Sequence, residues 1–458
     1  MAHLSQTTPL HNTWRYAFLR RVCRPLAMQS LSDSPSSTVP RPEAAPTAHH
    51  AISAAPASHA SHANGGAVRG SAAYRHIVLA LFCSGFATFS LLYCVQPLLP
   101  AFAQEFHIGA ASASLALSLS TGFLAVSILV AGMVSERFGR KELMFASLAT
   151  AACCNLLAGI APSWHLILVA RALEGIALGG VPAVAMAYLA EEIDAGGLGY
   201  AMGLYVGGNA FGGMVGRVAM STLAEAFGWR HAMLAIGALD LVLAVAFVMM
   251  LPGSRNFVRN GTLRLRDHFG LWRRHLGHAR LPLTFGIAAL NMGIFATSYN
   301  YAGFRLMSPP FSLSATLTGL IFSAYIFGIV SSSWAGALAD RYGRAPLVTA
   351  GIGTSCVGLF LTCTPWLAVV IAGIVLLTIG FFTTHSAASS WVGRLAGQGK
   401  GHAASLYLLA YYLGGSVLGS VGGWFWEHAG WNAVAAFMLL QVVTAAWLAR
   451  CLWRQGRN

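Results

Sequence analysis

From about residue 77 almost to the C-terminal end, apolar residues fill long stretches that are broken only by short polar segments. Each stretch is roughly 20 residues long, the length at which an α-helix rising 1.5 Å per residue crosses about 30 Å of hydrocarbon. The pattern predicts helices over approximately 77–100, 113–134, 143–161, 164–188, 199–221 and 231–251. A second set of six is predicted over 282–305, 315–338, 346–363, 366–388, 402–422 and 431–451. The expected fold class is an all-α polytopic membrane protein with twelve transmembrane helices in two six-helix pseudo-symmetric halves.

The remaining segments divide the chain. Residues 1–75 are expected to form a disordered cytoplasmic tail, rich in Ala, Ser, Pro, Thr and His, with no run long enough for a span or a signal-peptide core. His49, His50, His59 and His62 belong to that compositional bias rather than to a metal site, and Met28 offers a second translation start. The first half is expected over 76–252, a basic linker over 253–281, the second half over 282–452 and a short C-terminus over 453–458.

Composition excludes a soluble enzyme or a nucleic-acid-binding domain. Hydrophobic residues make up 56% of the chain and charged residues 9%, against about 25% charged in soluble domains. Mean hydropathy is +0.63. The net charge of +14 comes from arginines in the tail, in the linker and in short loops. That distribution fits the excess of Lys and Arg on cytoplasmic loops. With a cytoplasmic start, Arg137, Arg140, Lys141, Arg341, Arg344, Arg394, Lys400, Arg454 and Arg457 all fall on the cytoplasmic side. Both termini are then cytoplasmic, while the opposite loops carry Glu105, Glu225 and Glu427. Cysteines sit mostly inside apolar runs as small hydrophobes, so neither disulfides nor a metal is expected.

One polar motif occurs twice. Gly132-Met-Val-Ser-Glu-Arg-Phe-Gly-Arg-Lys141 returns as Gly336-Ala-Leu-Ala-Asp-Arg-Tyr-Gly-Arg344, with Gly132 and Gly336, and Arg137 and Arg341, each 204 residues apart. A half-module used twice in the same orientation points to a transporter built from two facing halves. The loop resembles the signature of the major facilitator superfamily. On that resemblance Gly132, Glu136, Arg137, Gly139, Arg140 and their counterparts Gly336, Asp340, Arg341, Gly343, Arg344 form a conformational latch at the cytoplasmic ends of the helices.

The resemblance covers roughly 75–452 and narrows further. Arg171-Ala-Leu-Glu-Gly175 is similar to the Arg-x-x-Gln-Gly pattern of drug and metabolite antiporters, with Glu174 where Gln is usual. Gly208-Asn-Ala-Phe-Gly-Gly213 is similar to their Gly-Pro-x-x-Gly-Gly pattern, with Asn209 in place of Pro. With Leu92-Tyr-Cys-Val-Gln-Pro-Leu-Leu-Pro100 and Gly212-Gly-Met-Val-Gly-Arg217, the chain looks most like the YnfM-like group of exporters. The resemblance implies a secondary active transporter of the bacterial inner membrane that uses no cofactor, needs only one chain, and exchanges a small organic molecule for protons.

Independently of that resemblance, only Glu174 and Asp240 among the fourteen acids lie deep inside predicted spans. A charge at mid-membrane costs about 2.5–3.5 kcal/mol on insertion scales, so such groups are paired, protonated or functional. Arg171 and Glu174 share a helix face three residues apart, either as a pair opened by protonation or as a static structural one. Asp240 carries a proton, contacts substrate, or rests neutral at a helix interface. Candidates for a central cavity are Tyr93, Gln96, Asn209, Tyr299, Asn300, Tyr325, His385, Tyr411 and Tyr412. Arg217 and Arg305 are read as near span ends, where snorkelling to the interface outweighs anion binding. Gly203, Gly207, Gly208, Gly212, Gly213 and Gly216 in the fifth span, matched by Gly414, Gly415, Gly419, Gly422 and Gly423 in the eleventh, predict close packing at the interface between halves.

No phosphate-binding loop appears, so an ion gradient is the expected energy source. Import or facilitated diffusion on the same fold is the alternative to export. A receptor or membrane enzyme is remote, since no nucleophile-and-base set is recognisable.

Overall fold

A computed structural model describes residues 66–254, 265–397 and 399–455, with backbone only over 132–138 and at 265. The N-terminal segment before residue 66, including its histidines, lies outside the described residues. The described residues are almost entirely helical. Ten helices are long and apolar enough to cross a membrane, from Ala72–Glu105 to Lys400–Arg454. The last of these is two helices joined at Ala429 and Gly430, whose backbone is not helical. Ala195–Phe227, 33 residues long, supplies the remaining crossing. Twelve spans result among the described residues, in the predicted order.

Local chemistry sets the span ends. Ser71 and Ser163 cap the first and fourth spans by accepting the amides of Tyr74 and Leu166, and Asp194 caps the fifth through Gly196 N. Three reversals between consecutive spans are made by a single glycine with positive φ: Gly139 at 81°, Gly228 at 82° and Gly343 at 86°. A side chain at such a backbone angle is strained, which explains why the repeated loop carries glycine at the equivalent positions 139 and 343. Prolines break the first span. Ala72–Tyr93 ends before a short turn at Gln96–Leu98 and a further helix, Leu99–Glu105, with Pro97 and Pro100 at their starts.

Most of the stripe glycines bring paired helices together within each half instead of facing the other half as the sequence predicts, while Gly423 sits at the interface between halves, where a Cβ would lie 2.3 Å from Ala111 Cα of the second span. A Cβ on Gly208 would lie 2.6 Å from Phe82 O, and on Gly212 or Gly216 it would meet the backbone of Phe86 or Ser90, all in the first span. Gly414 and Gly415 meet Ala289 and Met292 of the seventh span (Leu281–Met307) in the same manner. Large apolar side chains such as Trp334 and Met249 stand exposed, 70% and 80%, as suits a bundle solvated by lipid.

Among the described residues, the hydrogen bonds between the halves are one-sided. Ser420 Oγ donates to Ser118 Oγ at 2.7 Å, Ser416 Oγ to Ser118 O at 2.6 Å, and Ala111 N to Glu427 Oε1 at 2.9 Å, joining the second and eleventh spans. Thr316 N donates to Glu225 Oε2 at 2.6 Å, joining the eighth to the fifth. Gln96 Nε2 donates to Asn300 Oδ1 at 2.7 Å, joining the first to the seventh. Among the described residues, each hydrogen bond seen between halves lies away from the end that bears the repeated loops.

Candidate functional site

Midway along the bundle, where the halves meet, a pocket of about 10 Å³ is lined by Tyr93, Gln96, Leu117, Thr121, Arg217, Met292, Phe295, Ala296, Tyr325 and Gly415. Tyr93, Gln96 and Tyr325 are the sequence candidates that reach it. Asn300 stands behind Gln96 as its hydrogen-bond partner, and the two are 204 residues apart, the offset of the repeated loops. The pair is therefore made by equivalent positions of the two halves.

The other candidates point elsewhere. Tyr299 hydrogen-bonds Thr378 at 2.8 Å and stacks on Phe322. Asn209 packs against Gly85 of the first span. His385 meets the Tyr407 hydroxyl at 3.1 Å and lies against Phe381 and Tyr411, whose ring also touches Tyr412. Those residues form an aromatic layer between the tenth and eleventh spans.

Arg217 is the main residue that sequence reasoning misplaced. It does not snorkel; it is 1% exposed. Its Nε donates to Gln96 Oε1 at 2.6 Å and its Nη1 to Gly213 O at 2.6 Å. The guanidinium carbon lies 4.2, 4.9 and 5.1 Å from the ring centres of Tyr93, Tyr325 and Phe322. The helix explains the error. The fifth span runs to Phe227, so Arg217 is ten residues, about 15 Å, from its end instead of four. Arg305 does lie nearer its span end, half-buried, donating to Thr364 O at 2.8 Å. Leu117, Thr121, Met292, Phe295 and Ala296 carried no signal, because an apolar or small residue lining a pocket looks like any other in a span.

Directly behind the pocket wall is a second buried group. Arg171 and Glu174, both fully buried, form an ion pair. Arg171 also donates to Ala116 O at 2.9 Å, Leu91 O at 3.2 Å and Leu92 O at 2.7 Å. One side chain thus ties the fourth span to the second and to the last turn of the first. Among the described residues, the other Glu174 oxygen, Oε1, and both oxygens of fully buried Asp240 make no well-aligned hydrogen bond. The Ser90 side chain is near enough to hydrogen-bond Asp240, and Glu174 lies close enough to repel its charge. Cys94 sits among them, its Sγ 3.6 Å from Asn155 Oδ1.

At the loop end Arg140 Nε donates to Glu191 Oε2 at 2.6 Å. Arg344 reaches Asp340 Oδ1 at 3.3 Å and Ser390 Oγ at 3.1 Å. Each tie joins helices of one half. Arg341 lies exposed over the Tyr342 ring, and Gly336 has open space around it. The side chains of Gly132, Glu136 and Arg137 lie outside the described residues.

A family model described as Major Facilitator Superfamily matches residues 78–305 and again 283–457. The chain is 44% identical over 387 residues to the inner membrane transport protein YnfM of Escherichia coli (strain K12), covering 84% of this chain and 93% of that one. It is 43% identical over 386 residues to the MFS-type transporter YybF of Bacillus subtilis (strain 168), covering 84% and 95%. Among solved structures, a bacterial homolog of the human lysosomal transporter Spinster, inward-facing and occupied, superposes with a TM-score of 0.70 at 14% identity over 85% of this chain and 98% of that one. The nucleoside transporter NupG superposes with 0.66 at 15%, over 82% and 99%. Both likenesses concern the fold.

Proposed function

Because this chain belongs to the Major Facilitator Superfamily, and to its YnfM-like group of transporters, we propose that it is a proton-coupled exporter of small organic molecules that works by alternating access. One observation carries the coupling. Arg171, paired to Glu174, is bound to the carbonyls of Leu91 and Leu92, next to Tyr93 and Gln96 of the pocket wall. A proton on Glu174 neutralises the partner of Arg171 and weakens its hold. The last turn of the first span is then free to shift, and with it Tyr93 and Gln96. Occupancy of the pocket and occupancy by a proton thereby influence one another, which is the requirement for coupling two ligands.

Asp240 is the natural second proton carrier. A buried carboxylate with no cation paired to it among the described residues is costly in a membrane interior, and protonation removes that cost. Its closeness to Glu174 makes two negative charges unfavourable together, so the pair favours exchange of a single proton. The basic linker and loops support a cytoplasmic position for the loop end and both termini. The state described here, tied together at the opposite end, is then closed to the outside. The name of the 44% identical relative supports an inner-membrane location.

The test is solute-triggered proton release from acid-loaded inverted membrane vesicles, with a compound panel applied to wild type, Glu174→Gln and Asp240→Asn. A compound that collapses the pH gradient in wild type alone is the expected result. Labelled solutes that cross without any proton movement would replace coupled export by facilitated diffusion.

A further inference from the structure

We infer that the transported molecule carries a negative charge on an apolar or aromatic body, and that Arg217 is its anchor. This rests on the transporter reading above and names the substrate class of the same pocket. Arg217 is the permanently charged group lining the pocket, and among the described residues no carboxylate lies within ion-pair distance of it. Its near neighbour in charge, Arg171, is by contrast neutralised by Glu174. A guanidinium in hydrocarbon without a counter-ion is costly, and such residues mark substrate and ion pathways.

The fold lowers that cost without cancelling the charge. Gln96 and the Gly213 carbonyl supply dipoles, and the faces of Tyr93, Tyr325 and Phe322 surround the cation. These groups hold the guanidinium in place and leave a net positive centre. A carboxylate or similar anion entering as the halves separate completes the ion pair with charge-assisted hydrogen bonds. The rings of Tyr93 and Tyr325, with Phe295 and Met292, receive the apolar remainder. Gln96 bridges Arg217 to Asn300 of the other half, so an anion that takes over the contact to Arg217 loosens the Gln96–Asn300 tie between the halves. Binding and opening are linked through one side chain.

The experiment uses the full-length chain purified in detergent and matched compounds that differ only in charge: benzoate, phenylacetate and 1-naphthoate against their primary amides and the corresponding arylmethylamines. Binding is read as a shift in Tm and by titration. Carboxylates are expected to bind wild type, while amides and amines bind roughly ten-fold or more weakly. Arg217→Gln is expected to lose carboxylate binding by roughly ten- to a hundred-fold, and Arg217→Lys to retain part of it. The comparison of compounds on wild type needs no variant, so misfolding of Arg217→Gln leaves the test intact. Equal binding of amides or amines, no carboxylate binding at all, or undiminished carboxylate binding by a folded Arg217→Gln overturns the inference. Because binding is measured without a gradient, carboxylate binding without proton release would contradict the coupling mechanism and leave this assignment standing.

Discussion

At the residue scale, three buried charged centres were visible in the sequence to different degrees. Glu174 and Asp240 stood out because acids are so rare in the spans, and Arg171 followed from its spacing to Glu174. What the sequence did not contain was the set of backbone carbonyls around Arg171, since those come from helices 50 to 80 residues away. They make the pair unequal. Arg171→Ala leaves buried Glu174 without its cation and removes the hydrogen bonds to three carbonyls, and truncating one member of a buried pair costs about 3–5 kcal/mol. Glu174→Gln keeps an acceptor of the same shape for Arg171. Thermal unfolding followed by size-exclusion chromatography should therefore show Arg171→Ala strongly destabilised or absent and Glu174→Gln close to wild type. Equal losses would mean that the carbonyl contacts contribute little.

At the element scale, periodicity found all twelve spans, and the departures have physical causes. The fifth span runs to Phe227, beyond the end its hydropathy predicts, because its glycines and Arg217 dilute its apolar character although a tightly packed helix tolerates both. The stripes themselves were legible, but which glycines pack within a half and which, like Gly423, pack between halves was not, since both leave the same mark on a sequence. The difference can be measured. A methyl at Gly212 would collide with the Phe86 backbone, whereas one at Gly207 meets nothing within 4 Å. Gly212→Ala should lower Tm by several degrees, while Gly207→Ala should stay within about 0.5 kcal/mol of wild type. Gly343 tests the turn in isolation, because its space is open apart from a distant Pro346 Cδ at 3.9 Å and only its φ of 86° is demanding. Gly343→Ala should cost about 1–3 kcal/mol through backbone strain alone. An unaffected Tm would show that the loop adopts another angle.

At the scale of the whole molecule, the duplicated loop announced two halves of equal orientation, and the hydrogen bond between Gln96 and Asn300 brings the same 204-residue offset into the centre. The end at which the halves are tied was not legible. Ser114, Ser118, Ser416 and Ser420 look like ordinary small residues of a span until the second and eleventh helices are laid side by side. Those serines mark where the halves must part if one pocket is to face each side of the membrane in turn. The most direct test is to join them. With Ser118→Cys and Ser420→Cys, whose hydroxyl oxygens are 2.7 Å apart, oxidation should form a cross-link, stop movement of every compound that wild type carries, and allow it again on reduction. Each single variant should transport normally under the same oxidant. A cross-linked protein that still carries solute across the membrane would contradict alternating access through this pocket.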